Sequence, residues 1–263
     1  MVRRSSKWPA SIVLIRHGES AYNELKVTKD ADPEYREFKT AFAADAQSAR
    51  TRALAEQLFA KYPTRHSEYH MPLTELGARQ SRITARRLSS QIETPDVILV
   101  SPYVRTRQTL ACMTEGWGAL SEVKTVVEDR IREQEHGLAT LYSDWRFFHA
   151  FHPEQRQLNR LVGEYWYQYP QGESISQVRD RIRSVTTTLI REHAGKNVMV
   201  VTHHLTILSI RANYERLSPE EFRRLDREEK PINGGVTLYR CDPSAGSNGR
   251  LKLEYYNRKF YDL

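Results

Sequence analysis

The short apolar run SIVLI (residues 11–15) stops at Arg16, His17 and Gly18, three residue types that together can handle a phosphoryl group. A neutral imidazole can attack phosphorus through one ring nitrogen when the other is anchored. The migrating group carries its negative charge over three oxygens, so fixed cations and N–H donors must surround it. A guanidinium serves better than an ammonium because its planar fork matches phosphate oxygens in pairs. Its charge also lowers the imidazole pKa and keeps the ring neutral. A glycine beside them lets the backbone approach a ligand without a side chain in the way. By itself the tripeptide is a weak signal, and Arg16 could equally cap a strand end with a carboxylate partner.

A second imidazole stands after another apolar run: NVMVV (197–201) leads into Thr202, His203 and His204. His203 could be a satisfied structural histidine. As a metal pair His203 and His204 are poor, because neighbours on a strand project to opposite faces. His149 and His152 have a plausible metal spacing but no supporting motif, so no metal is expected.

The elements that must position these residues are legible. SIVLI, DVILV (96–100), KTVVE (124–128) and NVMVV read as buried strands covered on both faces. Between them, Ile175, Val178, Ile182, Val185 and Leu189 recur at helical spacing. Ser174 and Gln177 predict a capping box at that helix's start. Ser101-Pro102 and Ser218-Pro219 predict helix starts. GGVTLYR and LKLEYYNR flank the turn DPSAGSNG as a hairpin. The expected fold is α/β, a three-layer αβα sandwich around a doubly wound, mostly parallel sheet. Ligands in such sheets bind at the carboxyl ends of strands, where His17 and His203 sit. The chain, 1–263, reads as a single domain. Two segments interrupt it: 24–72, with helical signals of its own, and the aromatic stretch 142–169. Either could cap a site or be peripheral packing.

Composition narrows the partners. The 263 residues carry 40 Lys and Arg against 33 Asp and Glu, a net charge of +7. The basic residues are scattered without a block or a DNA-binding signature, so no nucleic-acid partner is expected. No apolar stretch is long enough to span a bilayer, and no membrane partner is expected. The two cysteines, Cys112 and Cys241, form no disulfide framework, which suits a reducing, cytoplasmic setting. The oligomeric state stays open between monomer and homodimer.

Six blocks in order now carry a resemblance. RHGESAYN (16–23), LTELGARQS (73–81), SPYVRTRQTL (101–110), RIREQEHG (130–137), PQGES (170–174) and VVTHH (200–204) resemble the motifs of the histidine phosphatase superfamily, which includes the cofactor-dependent phosphoglycerate mutases. The likeness runs from about residue 11 to 240 and misses mainly 24–72. It implies that His17 is the nucleophile and becomes phosphohistidine. It implies that Arg16, Arg105 and His203 bind the phosphoryl group, that Asn23 adds a hydrogen bond, and that Gly18 and Ser20 belong to the substrate-binding surface. Glu133 is the implied general acid, favoured over Glu135 by its spacing to Gly137. The family usually has glycine after its second histidine; here His204 stands there, able to supply the backbone N–H while changing the pocket's shape. No cofactor is implied. The substrate would be a small phosphorylated molecule. The blocks lack the mutase features F-x-G-W-x-D and E-R-x-Y-G and so resemble the phosphatases more closely. The alternatives are a phosphoglycerate mutase and a non-catalytic phospho-ligand binder.

Overall fold

The computed structural model describes residues 7–263. The first half contains β1 (Ser11–Arg16), α1 (Ala21–Ala31), α2 (Pro33–Ala44), α3 (Ala49–Lys61), α4 (Glu75–Leu88), β2 (Val97–Val100), α5 (Val104–Gly116) and β3 (Thr125–Val127). The second contains α6 (Trp145–Phe151), α7 (Pro153–Val162), α8 (Ile175–Glu192), β4 (Asn197–Thr202), α9 (His204–Glu215), α10 (Pro219–Glu228), β5 (Val236–Asp242) and β6 (Arg250–Arg258). They form two compact units. One comprises the segment ending at Ser20 with Pro72–Glu133 and Val178–Leu263; the other comprises Ala21–Met71 and Gln134–Gln177.

The first unit is built on a six-stranded sheet in the order β3-β2-β4-β1-β5-β6. The pairs β1–β4, β4–β2 and β2–β3 are parallel, and β5 and β6 add antiparallel strands beyond β1. Both faces are apolar because both are covered. Ile12, Leu14, Leu99, Val198 and Val200 pack with Ile182, Val185 and Leu189 of α8 and Ile207 and Ile210 of α9. On the opposite face Val13, Ile15, Ile98, Val100, Met199 and Val201 meet Ala85 and Leu88 of α4 and Met113 of α5. Each such buried aliphatic side chain contributes about 1.5–3 kcal/mol of transfer free energy. The result is a three-layer α/β sandwich.

All four predicted strands form, with one difference. KTVVE, read as buried, lies at the sheet edge with Val127 58% exposed, since β3 has a neighbour on one side only. The α8 stripe is buried as its spacing predicts, and the Ser174–Gln177 box forms in both directions, at 2.7 and 3.2 Å. Ser218 and Glu221 make a second box at α10. Ser101 does not cap α5. That helix begins at Val104 behind Tyr103, with no side-chain cap, because the Ser101 hydroxyl is engaged by His203.

The second unit holds α1–α3, α6 and α7 and receives both predicted insertions, apart from Pro72. Asp32 starts α2, accepting the Glu34 N–H at 2.9 Å. Tyr35, Phe38 and Phe42 then point into a core with Ala55, Leu58, Phe147 and Ala150. Beside that core Lys29 is buried, its ammonium donating to the Ser143 carbonyl and lying 3.4 Å from Asp144. The Tyr35 hydroxyl donates to the same carboxylate.

Candidate active site

Sheet register assembles the histidines. Arg16 of β1 pairs with Thr202 of β4, and Val100 of β2 with Val201. The next residue on each chain therefore arrives at the same carboxyl edge: His17, His203 and Ser101. The His17 N–H donates to Thr202 O at 3.0 Å and the Ser101 N–H to Val201 O at 3.1 Å. The two imidazole centroids stand 5.3 Å apart, edge to face. Serving as the N-cap of α9, His203 is extended, and His204 is already helical. The expectation that the pair alternates across a strand is thereby corrected, because β4 ends at Thr202.

His17 is 4% exposed, with Nδ1 2.7 Å from Gly18 O. A carbonyl can only accept, so Nδ1 carries the proton and Nε2 presents its lone pair. Burial, then the charges of Arg105 and Arg16, push its pKa well below the usual imidazole value. His203 is fully buried and shifted the same way, by burial first and Arg105 next. Its Nε2 shares a 2.7 Å hydrogen bond with the Ser101 hydroxyl; its Nδ1 is buried without a hydrogen-bond partner among the described residues.

The cations come from two elements. Arg16 ends β1, and its Nη1 donates to Pro231 O at 2.6 Å, a neutral partner and not the carboxylate of the strand-cap alternative. Its Nε is buried and unpartnered among the described residues. Burial lowers its pKa to about 10, with the Glu133 carboxylate opposing and Arg105 assisting. Arg105 is buried in the first turn of α5, its guanidinium carbon 4.9 Å from the Tyr103 ring centroid. Tyr103 in turn lies edge to face with His203 at 5.1 Å.

Gly18 is needed for a reason the sequence did not suggest. A Cβ there would stand 2.4 Å from Gly77 O and 2.9 Å from Ser81 Oγ, so glycine is required by the close approach of α4. The Gly18 N–H donates to the Thr109 hydroxyl at 3.0 Å, and the Glu19 N–H to Gln80 Oε1 at 2.9 Å. Ser20 is buried and bridges to Leu73. These contacts explain the LTELGARQS block: Thr74 caps α4, Gly77 meets the turn, and Gln80 holds it.

Glu133 faces the first turn of α9, its carboxylate oxygens 3.2 and 3.4 Å from the Leu205 N–H. Its segment is fixed by Thr202 Oγ1 donating to Ile131 O at 2.6 Å and Arg181 Nη1 to Arg130 O at 2.6 Å. The rival Glu135 belongs to the second unit, its carbonyl tied to the Glu173 N–H. Asn23 also lies there, on α1; the other eight candidates are in the first unit. His204 Nε2 stands 2.6 Å from Asp226 Oδ1. Burial pushes the Asp226 carboxyl up, but the His204 hydrogen bond and the nearby His204 and Lys230 charges prevail and hold it at about 2.

Sequence reasoning missed Ser101 as a histidine partner, and also Thr109, Asp226 and the loop PING (231–234). A signal for the last existed: Gly234 has φ +66°, and an Asn-Gly pair before a strand marks a turn built for close approach. Among the described residues no three His, Cys, Asp or Glu side chains are grouped to hold a metal ion.

The doubly wound α/β unit thus gathers two buried histidines just beyond strand ends, Arg16 at the end of β1 and Arg105 in the first turn of α5. The chain belongs to the histidine phosphatase superfamily, branch 1, whose description matches residues 42–248. A phosphoglycerate mutase-like protein of Arabidopsis thaliana is 26% identical over 246 residues, covering 86% of this chain and 73% of the relative. Among solved structures, a mycobacterial glucosyl-3-phosphoglycerate phosphatase with inorganic phosphate superposes with TM-score 0.61 at 18% identity, over 95% of this chain and 98% of that one. The alpha-ribazole phosphatase of Shigella flexneri gives 0.64 at 13% identity, over 95% and 96%. Among the described residues no helix is long and apolar enough to cross a membrane.

Proposed function

We propose that the protein is a metal-independent phosphomonoesterase acting on a small phosphorylated substrate through a phosphohistidine. The observation that carries this reading is the anchored imidazole of His17, with Nδ1 on Gly18 O at 2.7 Å and Nε2 left as the nucleophilic lone pair. Arg16, Arg105 and His203 receive the phosphoryl oxygens. The buried Nε of Arg16 and Nδ1 of His203, which lack protein partners among the described residues, support that role.

In the first step Nε2 bonds to phosphorus as the ester P–O bond breaks, and Glu133 gives its proton to the leaving oxygen. In the second, Glu133 takes a proton from water, whose oxygen displaces Nε2 and releases inorganic phosphate. The charge that stabilises both transfers comes from the guanidinia. Gly18, Ser20 and His204 shape the phosphate pocket, and Asn23 adds a hydrogen bond to the substrate.

The mutase-like name of the plant relative favours one second reading, transfer of the phosphoryl group back to a phosphoglycerate. Hydrolysis of p-nitrophenyl phosphate with EDTA present, beside 3-phosphoglycerate isomerisation under the same conditions, separates the two. The proposal expects chelator-resistant phosphate release that His17→Ala abolishes. Isomerisation outpacing release would favour the mutase, and loss of activity on chelation would end the metal-independent reading.

A further inference from the structure

The loop between α10 and β5 meets the Arg16-His17-Gly18 turn at the Arg16 N–H and at the carbonyls of all three residues. The Arg16 N–H donates to Gly235 O at 3.1 Å, and the Gly234 N–H lies 3.1 Å from both Arg16 O and His17 O. Arg16 Nη1 reaches Pro231 O. One side chain joins them: Asn233 Nδ2 lies 3.2 Å from His17 O and 3.2 Å from Gly18 O. Two carbonyls face it, so the amide must present its NH2 edge to them.

Gly18 O is also the atom that anchors His17 Nδ1. It thus accepts from both the amide and the imidazole, and the direction of that carbonyl sets the direction of the ring. The loop has its own tether. The Tyr261 hydroxyl donates to Asn233 O at 2.6 Å, and Asn257 takes the Ile232 N–H at 2.7 Å while donating to Lys230 O at 2.9 Å. Gly234 fits beneath Tyr261, where a Cβ would stand 3.1 Å from the ring. The end of the chain is therefore connected to the reacting imidazole by consecutive hydrogen bonds, Tyr261 to Asn233 to Gly18 to His17.

We propose that Asn233 and Tyr261 are positioning residues, which fix the Gly18 carbonyl and through it the tautomer and aim of His17. This rests on His17 being the nucleophile. Changing the Asn233 side chain removes no backbone atom, so the Pro231 carbonyl that holds Arg16 remains and nucleophile alignment is expected to suffer more than phosphate binding. Misalignment of a reacting group by about an ångström costs on the order of 100-fold in rate. A truncated amide leaves Gly18 O with one donor, and a second imidazole tautomer becomes accessible.

The test compares Asn233→Ala, Tyr261→Phe and His17→Ala, measuring kcat on an aryl phosphate, inhibition by inorganic phosphate, and the His17 tautomer by nitrogen-15 NMR. Expected are a kcat loss of about 10- to 100-fold in Asn233→Ala and a smaller loss in Tyr261→Phe. Phosphate inhibition stays unchanged, and the His17 Nδ1–H population is diluted by the other tautomer. If Asn233→Ala does not fold, Tyr261→Phe, which removes one hydroxyl, decides alone. Undiminished kcat with a single tautomer would overturn the proposal, as would kcat and phosphate inhibition worsening in parallel. Full activity in His17→Ala is a different failure, that of the proposed reaction itself.

Discussion

His17 and His203 stand with ring centroids 5.3 Å apart because the residues before them, Arg16 and Thr202, are register partners on adjacent parallel strands. A slip of one residue would turn every side chain of β1 to the opposite face. The apolar alternation Ile12, Val13, Leu14, Ile15, matched to a helix layer on each side, therefore holds the chemistry in place as well as the core.

The pH dependence follows from the burial of His17. Burial and two guanidinia keep its pKa well below 6.5, so the neutral ring that the proposed reaction needs persists into acid. The acid limb of kcat/KM falls below the ordinary imidazole range. Removing a cation raises the His17 pKa, so Arg105→Gln moves that limb to higher pH. A limb that stays in place would show that the charge of Arg105 does not govern the ring.

Stability should carry the same signature. The folded pKa values of His17 and His203 are both depressed, so below about pH 6.5 the unfolded chain binds protons that the native one refuses. Each group then removes about 1.4 kcal/mol of stability per pH unit as pH falls. Denaturant unfolding between pH 7 and 5 should show this decline, with a shallower slope in His203→Asn.

Glu133→Gln should slow alkyl phosphates about 100-fold or more while sparing aryl phosphates, whose leaving groups need little protonation. The Leu205 N–H retains an acceptor in the amide, so the fold is preserved. Equal slowing of both substrates would remove Glu133 from the role of acid.

Gly18→Ala must push against Gly77 O, 2.4 Å from the new Cβ. That atom is helix backbone and cannot swing aside, so a loss of about 1–3 kcal/mol is expected. Thermal unfolding measures it. An unchanged midpoint would mean that α4 recedes freely.

In the second unit, Lys29→Ala leaves the Asp144 carboxylate buried without its ammonium partner. Both side chains are under a tenth exposed, and removing one member of a buried pair costs about 3–5 kcal/mol. Lys29→Met, of similar volume, should cost less when unfolding of this unit is followed by limited proteolysis.

Much of this architecture is legible in the chain because its signals are local. Apolar runs flanked by Arg16-His17, Ser101 and Thr202-His203 mark parallel strands and their carboxyl ends, and the capping box at Ser174 and the Ser218-Pro219 pair mark helix starts. What sequence cannot show is which distant group answers which. The Ser101 hydroxyl reads as a helix cap yet serves His203, and Asp226 looks like one more surface acid yet holds His204. Gly18 reads as room for a ligand, and the close approach of α4 that also requires glycine there is not legible. Each depends on a contact across scores of residues, which no local period encodes.

The central claim is tested most directly by rapid quenching of turnover with a radioactively labelled phosphodonor, followed by mapping of the protein-bound label. The account predicts an acid-labile, base-stable phosphoramidate on Nε2 of His17, absent in His17→Ala. Label on any other residue, or steady turnover by the alanine variant without label, would contradict it.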